Sequence, residues 1–131
     1  MANIPGYAAT PRCAIAAIST ANTNRDGTGT IGTVFTAGAS GSRIDSILIE
    51  GTGTTTAGMV RLYIHNGTTA YLFKELVVGA VTPGASTPAW GAQVNSLLDR
   101  EMPVIIPTGY SLRASTHNAE TFNVIAMGGD L

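Results

Sequence analysis

Apolar and polar residues alternate along most of this chain with the two-residue period of β-strands, and glycines and β-branched residues interrupt nearly every stretch long enough for a helix. The pattern predicts about eight strands, at 12–19, 30–37, 43–50, 58–65, 68–78, 89–98, 103–106 continued by 110–115, and 121–127. Only Ala92–Glu101 offers a competing helical reading, of about two turns. Strands at this spacing, divided by Gly, Asn and Pro turns, predict an all-β fold, an antiparallel β-sandwich. Residues 1–11 read as an extended N-terminal arm and 12–131 as a single sandwich domain.

The sharpest element is a hairpin, Gly58–His65 and Thr68–Glu75 around Asn66-Gly67. Asn-Gly suits a two-residue type I′ turn, and that turn would set Ile64 opposite Thr69, Leu62 opposite Tyr71 and Val60 opposite Phe73, on the core side. The other side then carries Met59, Arg61, Tyr63, His65, Ala70, Leu72 and Lys74. Apolar and cationic groups together suit a subunit contact, with Arg61 and Tyr63 as its anchors; cover by another part of the same chain is the equal alternative.

Charge changes the picture next. Charged residues are only 11% of the chain, where about 25% is usual, so much of the surface is polar but uncharged. Lys74 is the only lysine beside six arginines, a choice that favours buried intermolecular contacts, because guanidinium is planar, weakly hydrated and multiply hydrogen-bonding. A net charge of −1, with no basic cluster, argues against nucleic acid as a partner. No stretch is long enough for a membrane-spanning helix, so no membrane partner is expected. The opening Met1–Tyr7 lacks the features of a secretion signal, and synthesis and assembly are expected in the cytosol. Cys13, the sole cysteine, lies in the apolar run Cys13–Ile18 and reads as a small buried residue.

The motifs that suggest chemistry dissolve on inspection. Gly27-Thr-Gly29-Thr-Ile-Gly32 spells a dinucleotide fingerprint, but a strand pattern follows it where a helix is needed to face the pyrophosphate. Asn22-Thr-Asn24-Arg-Asp26-Gly27 resembles half of a calcium loop, yet it has one carboxylate, and Thr33 stands where the bidentate Glu belongs; an Asx-rich turn is the default. Asn66-Gly-Thr68 matches a glycosylation sequon that the hairpin explains. Pro107-Thr-Gly109-Tyr-Ser-Leu112 resembles the second signature of the cupins, with Leu112 at the position of their metal-ligand His. That resemblance implies a jelly-roll corner without a cupin metal site. His65 and His117 stand apart from other ligands, and no nucleophile–base pair, carboxylate pair or Gly-x-Ser-x-Gly elbow is visible. No enzyme activity, metal or cofactor is expected.

The compact β-chain, its small Ala/Thr/Gly-rich composition, the Pro-x-Gly corner leading into Tyr110-Ser-Leu-Arg-Ala-Ser115, and the ending Gly128-Gly-Asp-Leu131 together resemble jelly-roll cement, or decoration, proteins of tailed-bacteriophage heads. The resemblance implies a sandwich that oligomerises on the outside of the virion capsid, often with an extended arm, and clamps adjoining major capsid protein subunits. On that reading Ile4, Pro5 and Tyr7 anchor the arm, Arg12 and Arg43 meet coat carboxylates or carbonyls, and Trp90 packs against a neighbour or, equally, plugs one end of the core. A homo-oligomer is expected, either a trimer or a dimer, with the trimer favoured since threefold junctions are natural gaps to cap. The main rival is a jelly-roll receptor- or carbohydrate-binding module of a phage tail, against which the low aromatic content of 6% counts. A secreted oligomeric sandwich of the complement or tumour-necrosis-factor type is a third.

Overall fold

The computed structural model describes residues 9–95 and 104–131, and those residues form two antiparallel sheets. The strands are β1 (Thr10–Ile18), β2 (Gly32–Thr36), β3 (Ser42–Gly51), β4 (Gly58–His65), β5 (Ala70–Val78), β6 (Gly91–Asn95), β7 (Val104–Ile106), β8 (Ser111–Thr116) and β9 (Phe122–Asp130). One sheet runs β1-β9-β3-β6, with β7 also paired to β3, and the other runs β2-β8-β4-β5. Strands pair from the ends of the chain inward: β1 with β9, β2 with β8, β3 with β6 and β7, and β4 with β5. That nesting is a jelly roll, a long hairpin rolled into two layers.

Alternation decides what lies between the layers. Along β9, Phe122, Val124 and Ala126 point inward and are buried, while Asn123, Ile125 and Met127 point outward. Phe35, Ile44, Ile47, Ile49, Val60, Leu62 and Leu112 meet them from both sheets in one continuous core. Each such large side chain contributes about 1.5–3 kcal/mol by leaving water, so the inward face of the strands carries most of the stability.

Two corrections follow from register. The segments 103–106 and 110–115, counted together as one element around the Pro-x-Gly corner, are two strands in different layers, because Tyr110 N donates to Pro107 O at 3.1 Å and Gly109, at φ 86°, supplies the positive φ of a tight turn. β7 therefore ends in one sheet and β8 begins in the other. In the hairpin, Ile64 lies opposite Tyr71, not Thr69, and Leu62 opposite Lys74, not Tyr71. Asn66 Oδ1 accepts from both Thr68 N (3.0 Å) and Thr69 N (2.8 Å), which holds residues 66–69 as a wider loop, and a bulge at Leu62/Tyr63 shifts the pairing once more. The inward assignment of Val60 and Leu62 survives both shifts.

β6 and β7 lie end to end along one edge of β3: Asn95 is opposite Ser46 and Val104 opposite Ile44. Residues 91–95 of the segment with two readings are thus strand, and the rest of the helical candidate lies outside the described residues. A bulge between Ile44 and Ser46 presses the β3 backbone towards β9, where Gly128 lies opposite Ile44. A Cβ at Gly128 would stand 1.9 Å from Arg43 O.

Candidate functional site

The middle of the outer face of β2-β8-β4-β5, around Arg61 and Tyr63, is covered by the chain itself, while Val77 on β5 stays exposed. The β1–β2 connection crosses it, bridged to β8 by Asn22 N donating to Thr116 O at 2.8 Å. Asn22 is the buried hub of that connection: its Nδ2 donates to Thr28 O (2.9 Å) and Thr30 O (3.0 Å), and its Oδ1 accepts from Asn24 N (3.0 Å). Asp26 Oδ1 accepts from Thr28 N and Thr28 Oγ1. Those oxygens hold backbone turns, as the Asx-turn reading expects, and among the described residues no three His, Cys, Asp or Glu side chains gather as a ligand set.

Under this cover lie Arg61, 1% exposed, and Tyr63, fully buried. Arg61 Nε donates to Glu75 Oε2 (2.9 Å) and Nη1 to Asn22 O (3.2 Å), while Nη2 lies 3.2 Å from His117 Nδ1. Tyr63 OH donates to Asn24 O at 2.9 Å. Arg25 Nε reaches in from the connection to Glu75 Oε2 at 2.6 Å. The Arg25 hydrogen bond, reinforced by Arg61, holds the Glu75 carboxyl below its usual range. Arg61 and Tyr63 are therefore anchors of an intramolecular contact, the second of the two readings of this face, and the subunit-contact reading of these two residues is corrected: the Asn-rich connection reaches them first.

Arg12 is also turned to its own chain. Its Nη1 donates to Thr36 O (2.6 Å) and Asp130 Oδ1 (3.0 Å), and its guanidinium carbon sits 4.1 Å from the centre of the Phe35 ring. Asp130 Oδ1 also accepts from Ser42 Oγ at 2.6 Å. The Ser42 and Arg12 bonds keep the Asp130 carboxyl lower than an ordinary aspartate. This cluster latches the two sheets together where β1, β2, β3 and β9 converge. Arg43 Nε pairs with Asp45 at 2.7 Å. Trp90 is half-buried and meets Phe122 edge-on, with centroids 5.6 Å apart at 87°, in the manner of a core plug. Ile4, Pro5 and Tyr7 lie outside the described residues.

The opposite layer presents the open surface. Register aligns Ile15, Ile125, Leu48 and Gln93 in one row across β1-β9-β3-β6, with Cys13, Met127 and Ser46 in the next and Ala17, Asn123 and Glu50 on the far side. Ile15 is 65% exposed, and Ile105, opposite Arg43 on β7, is 61% exposed. Cys13 is exposed rather than buried, because Arg12, Ala14, Ala16 and Ile18 take the inward positions of β1 and leave Cys13 and Ile15 to the outside. The apolar run misled because both faces of β1 are apolar. Charge stands at the rim of this sheet, Glu50 at one end and the Arg43–Asp45 pair at the other. Beside that pair, Pro11, Arg12, Cys13, Asp45, Met127 and Gly128 line a shallow depression of about 460 Å³.

The face was missed because sequence reasoning sought it on the hairpin. The available signal was that Ile15, Leu48, Ile125 and Met127 all occupy the outward phase of strands whose inward phase was already apolar. No family model matches the chain, and no curated protein matches it.

Proposed function

We propose that the chain is a structural virion protein, a cement or decoration protein that seats on the outside of a tailed-phage head and stabilises contacts between major coat subunits. The observation that carries this reading is the outer face of β1-β9-β3-β6, with an uncharged apolar centre of Ile15, Ile125, Leu48 and Met127 and charge confined to its rim. Depletion of charge at the centre of a surface, with a polar border, is the composition of the buried middle of a protein–protein contact. An ordinary solvated sheet alternates apolar inside with charged or polar outside, and this one does not.

The mechanism is thermodynamic linkage. A protein that binds only the assembled shell adds its binding free energy to that state, and a lattice repeats the gain at every site. A jelly roll suits the task, because a sandwich latched by Arg12 and Asp130 presents its outer sheet as a preformed platform with little ordering cost. On this reading the molecule works as a homo-oligomer, a trimer over threefold gaps of the shell.

The test is retention on purified empty expanded shells, with Ile15→Glu and Ile125→Lys beside the wild-type protein. Both substitutions are expected to abolish retention, while Ile15→Glu leaves the thermal midpoint of the free protein nearly unchanged, since its side chain is already in water. Wild-type protein is expected at a copy number comparable with the coat protein when particles are quantified by mass spectrometry. A handful of copies per particle, or undiminished retention of both variants, would refute the reading.

A further inference from the structure

We propose that the polar depression between the β1–β2 connection and the β4–β5 loop binds an acidic sugar, a ring carrying one carboxylate among hydroxyls such as a uronic acid, with Arg113 as the carboxylate receptor. This goes beyond shell binding and is independent of it, because the depression opens on the layer opposite the apolar face.

The site has a volume of about 320 Å³, and its polar lining comes from Asp26, Thr28, His65, Thr68, Thr69 and Arg113. Arg113 is the feature that asks for a ligand. The other described arginines are all matched to carboxylates, Arg12 to Asp130, Arg25 and Arg61 to Glu75, and Arg43 to Asp45. Arg113 has no carboxylate partner among the described residues; its Nε donates to Ser111 Oγ at 3.0 Å, and Nη1 and Nη2 have no partner there. A half-buried guanidinium held by its Nε on a strand is a fixed fork, and the group that fits a fork in two parallel hydrogen bonds is a planar carboxylate.

The surrounding groups suit the hydroxyls of a sugar ring. Gly67 N donates to His65 Nδ1 at 3.1 Å, so the neutral ring carries its proton on Nε2, a donor. The backbone N–H groups of Thr68 and Thr69 both go to Asn66 Oδ1, which orders the loop and leaves the two hydroxyls without partners among the described residues. Asp26 is fixed by Thr28 N and Thr28 Oγ1, and the same bonds hold its carboxyl below the usual range, so it is an anionic acceptor. That negative charge selects among anions: it repels a phosphate dianion more strongly than a monoanionic sugar acid, whose hydroxyl can donate a hydrogen bond to it. The lining has no aromatic platform, so recognition rests on charge and hydrogen bonds, and the neutral sugar should bind poorly.

The experiment is an amide-resolved NMR titration of the full-length protein with methyl glucuronide, methyl glucoside and inorganic phosphate in parallel. The uronide is expected to shift amides of Asp26–Gly29 and Gly67–Thr69 and to bind at least about tenfold more tightly than the glucoside. Arg113→Gln should remove that preference. Thr68→Val, on an exposed loop outside the core, should weaken uronide binding severalfold with the fold intact, which keeps the test valid if the Arg113 variant is unstable. Asp26→Asn should admit phosphate. The proposal is overturned if the uronide causes no shifts, if uronide and glucoside bind alike, if phosphate competes equally in the wild-type protein, or if a folded Arg113→Gln variant still prefers the uronide.

Discussion

Replacing Gly128 with alanine adds one methyl group where two backbones already touch. The new Cβ would stand 1.9 Å from Arg43 O, 2.8 Å from Arg43 C and 2.9 Å from Ile44 Cα. Gly128 is not one of the positive-φ glycines, so the conflict is purely steric, and every atom it meets is backbone that no rotamer change can move. Restoring ordinary contact requires β3 and β9 to separate by more than about 1 Å, a large fraction of the slack in strands spaced about 4.8 Å apart. The rungs joining Ser42, Arg43 and Ile44 to Asp130, Gly129 and Gly128 then fail. Two or three backbone hydrogen bonds at about 1 kcal/mol each, with some loss of packing around Ile44, give a cost of about 2–4 kcal/mol. For a domain of this size that lowers the thermal midpoint by about 10 °C, and urea denaturation should show the loss as a lower midpoint at unchanged slope. Gly53→Ala is the control, since a Cβ there meets nothing within 4 Å, and it should lie within about 0.5 kcal/mol of wild type. If Gly128→Ala also lies within about 0.5 kcal/mol, the close approach at the bulge is not the constraint described.

Three further outcomes are expected. Asn22→Ala removes three hydrogen bonds from a buried side chain and should cost about 2–4 kcal/mol, with faster amide exchange across residues 22–30; unchanged exchange would mean that the connection is held by other contacts. Arg12→Ala should destabilise by about 1–2 kcal/mol through loss of the contact over Phe35 and of the bond to Thr36 O, and equal stability by urea titration would count against the latch. Glu75 and Asp130 have folded-state pKa values below their ordinary ones, so the unfolded chain binds more protons as pH falls through the carboxylate range. Stability should therefore be level above about pH 5 and fall as the pH drops towards the lowered values, with a shallower fall in Asp130→Asn; a urea midpoint independent of pH from 7 to 3 would refute this.

The layered fold was legible because strand period and turn chemistry are local. β4 occupies 58–65 as its alternation indicated, and Val60 and Leu62 point inward whichever register the hairpin adopts. What failed was local evidence put to non-local use. Asn66-Gly67 suggested a two-residue turn, but the Asn66 side chain captures the next two free backbone donors and widens the loop. Arg61 and Tyr63 look like outward interface residues on β4 alone, and only the path of the β1–β2 connection shows what covers them. A connection from 19 to 31 rich in Asn, Thr and Gly is longer than a sandwich turn needs, which was the available sign that it packs on something. That Arg113 has no carboxylate partner among the described residues could not be read from the chain at all, because only the folded positions show which arginines are matched.

The position of β9 has a consequence for how the protein is made. β9, the last of the described strands in chain order, lies in the interior of its sheet, hydrogen-bonded to β1 on one side and β3 on the other. A nascent chain that has not yet reached Phe122 holds both of those strands with an unpaired edge, and the inward faces of Ile44, Ile47 and Ile49 lack Val124 and Ala126 to pack against. Folding of that layer waits for β9, and then requires contacts between residues as far apart as Thr10 and Asp130, the kind of topology that folds slowly. During the delay the apolar strands are exposed to one another on neighbouring chains, a hazard that grows with expression level. A chain shortened by its last ten residues would lose the centre of a sheet rather than a tail, and should accumulate as aggregate.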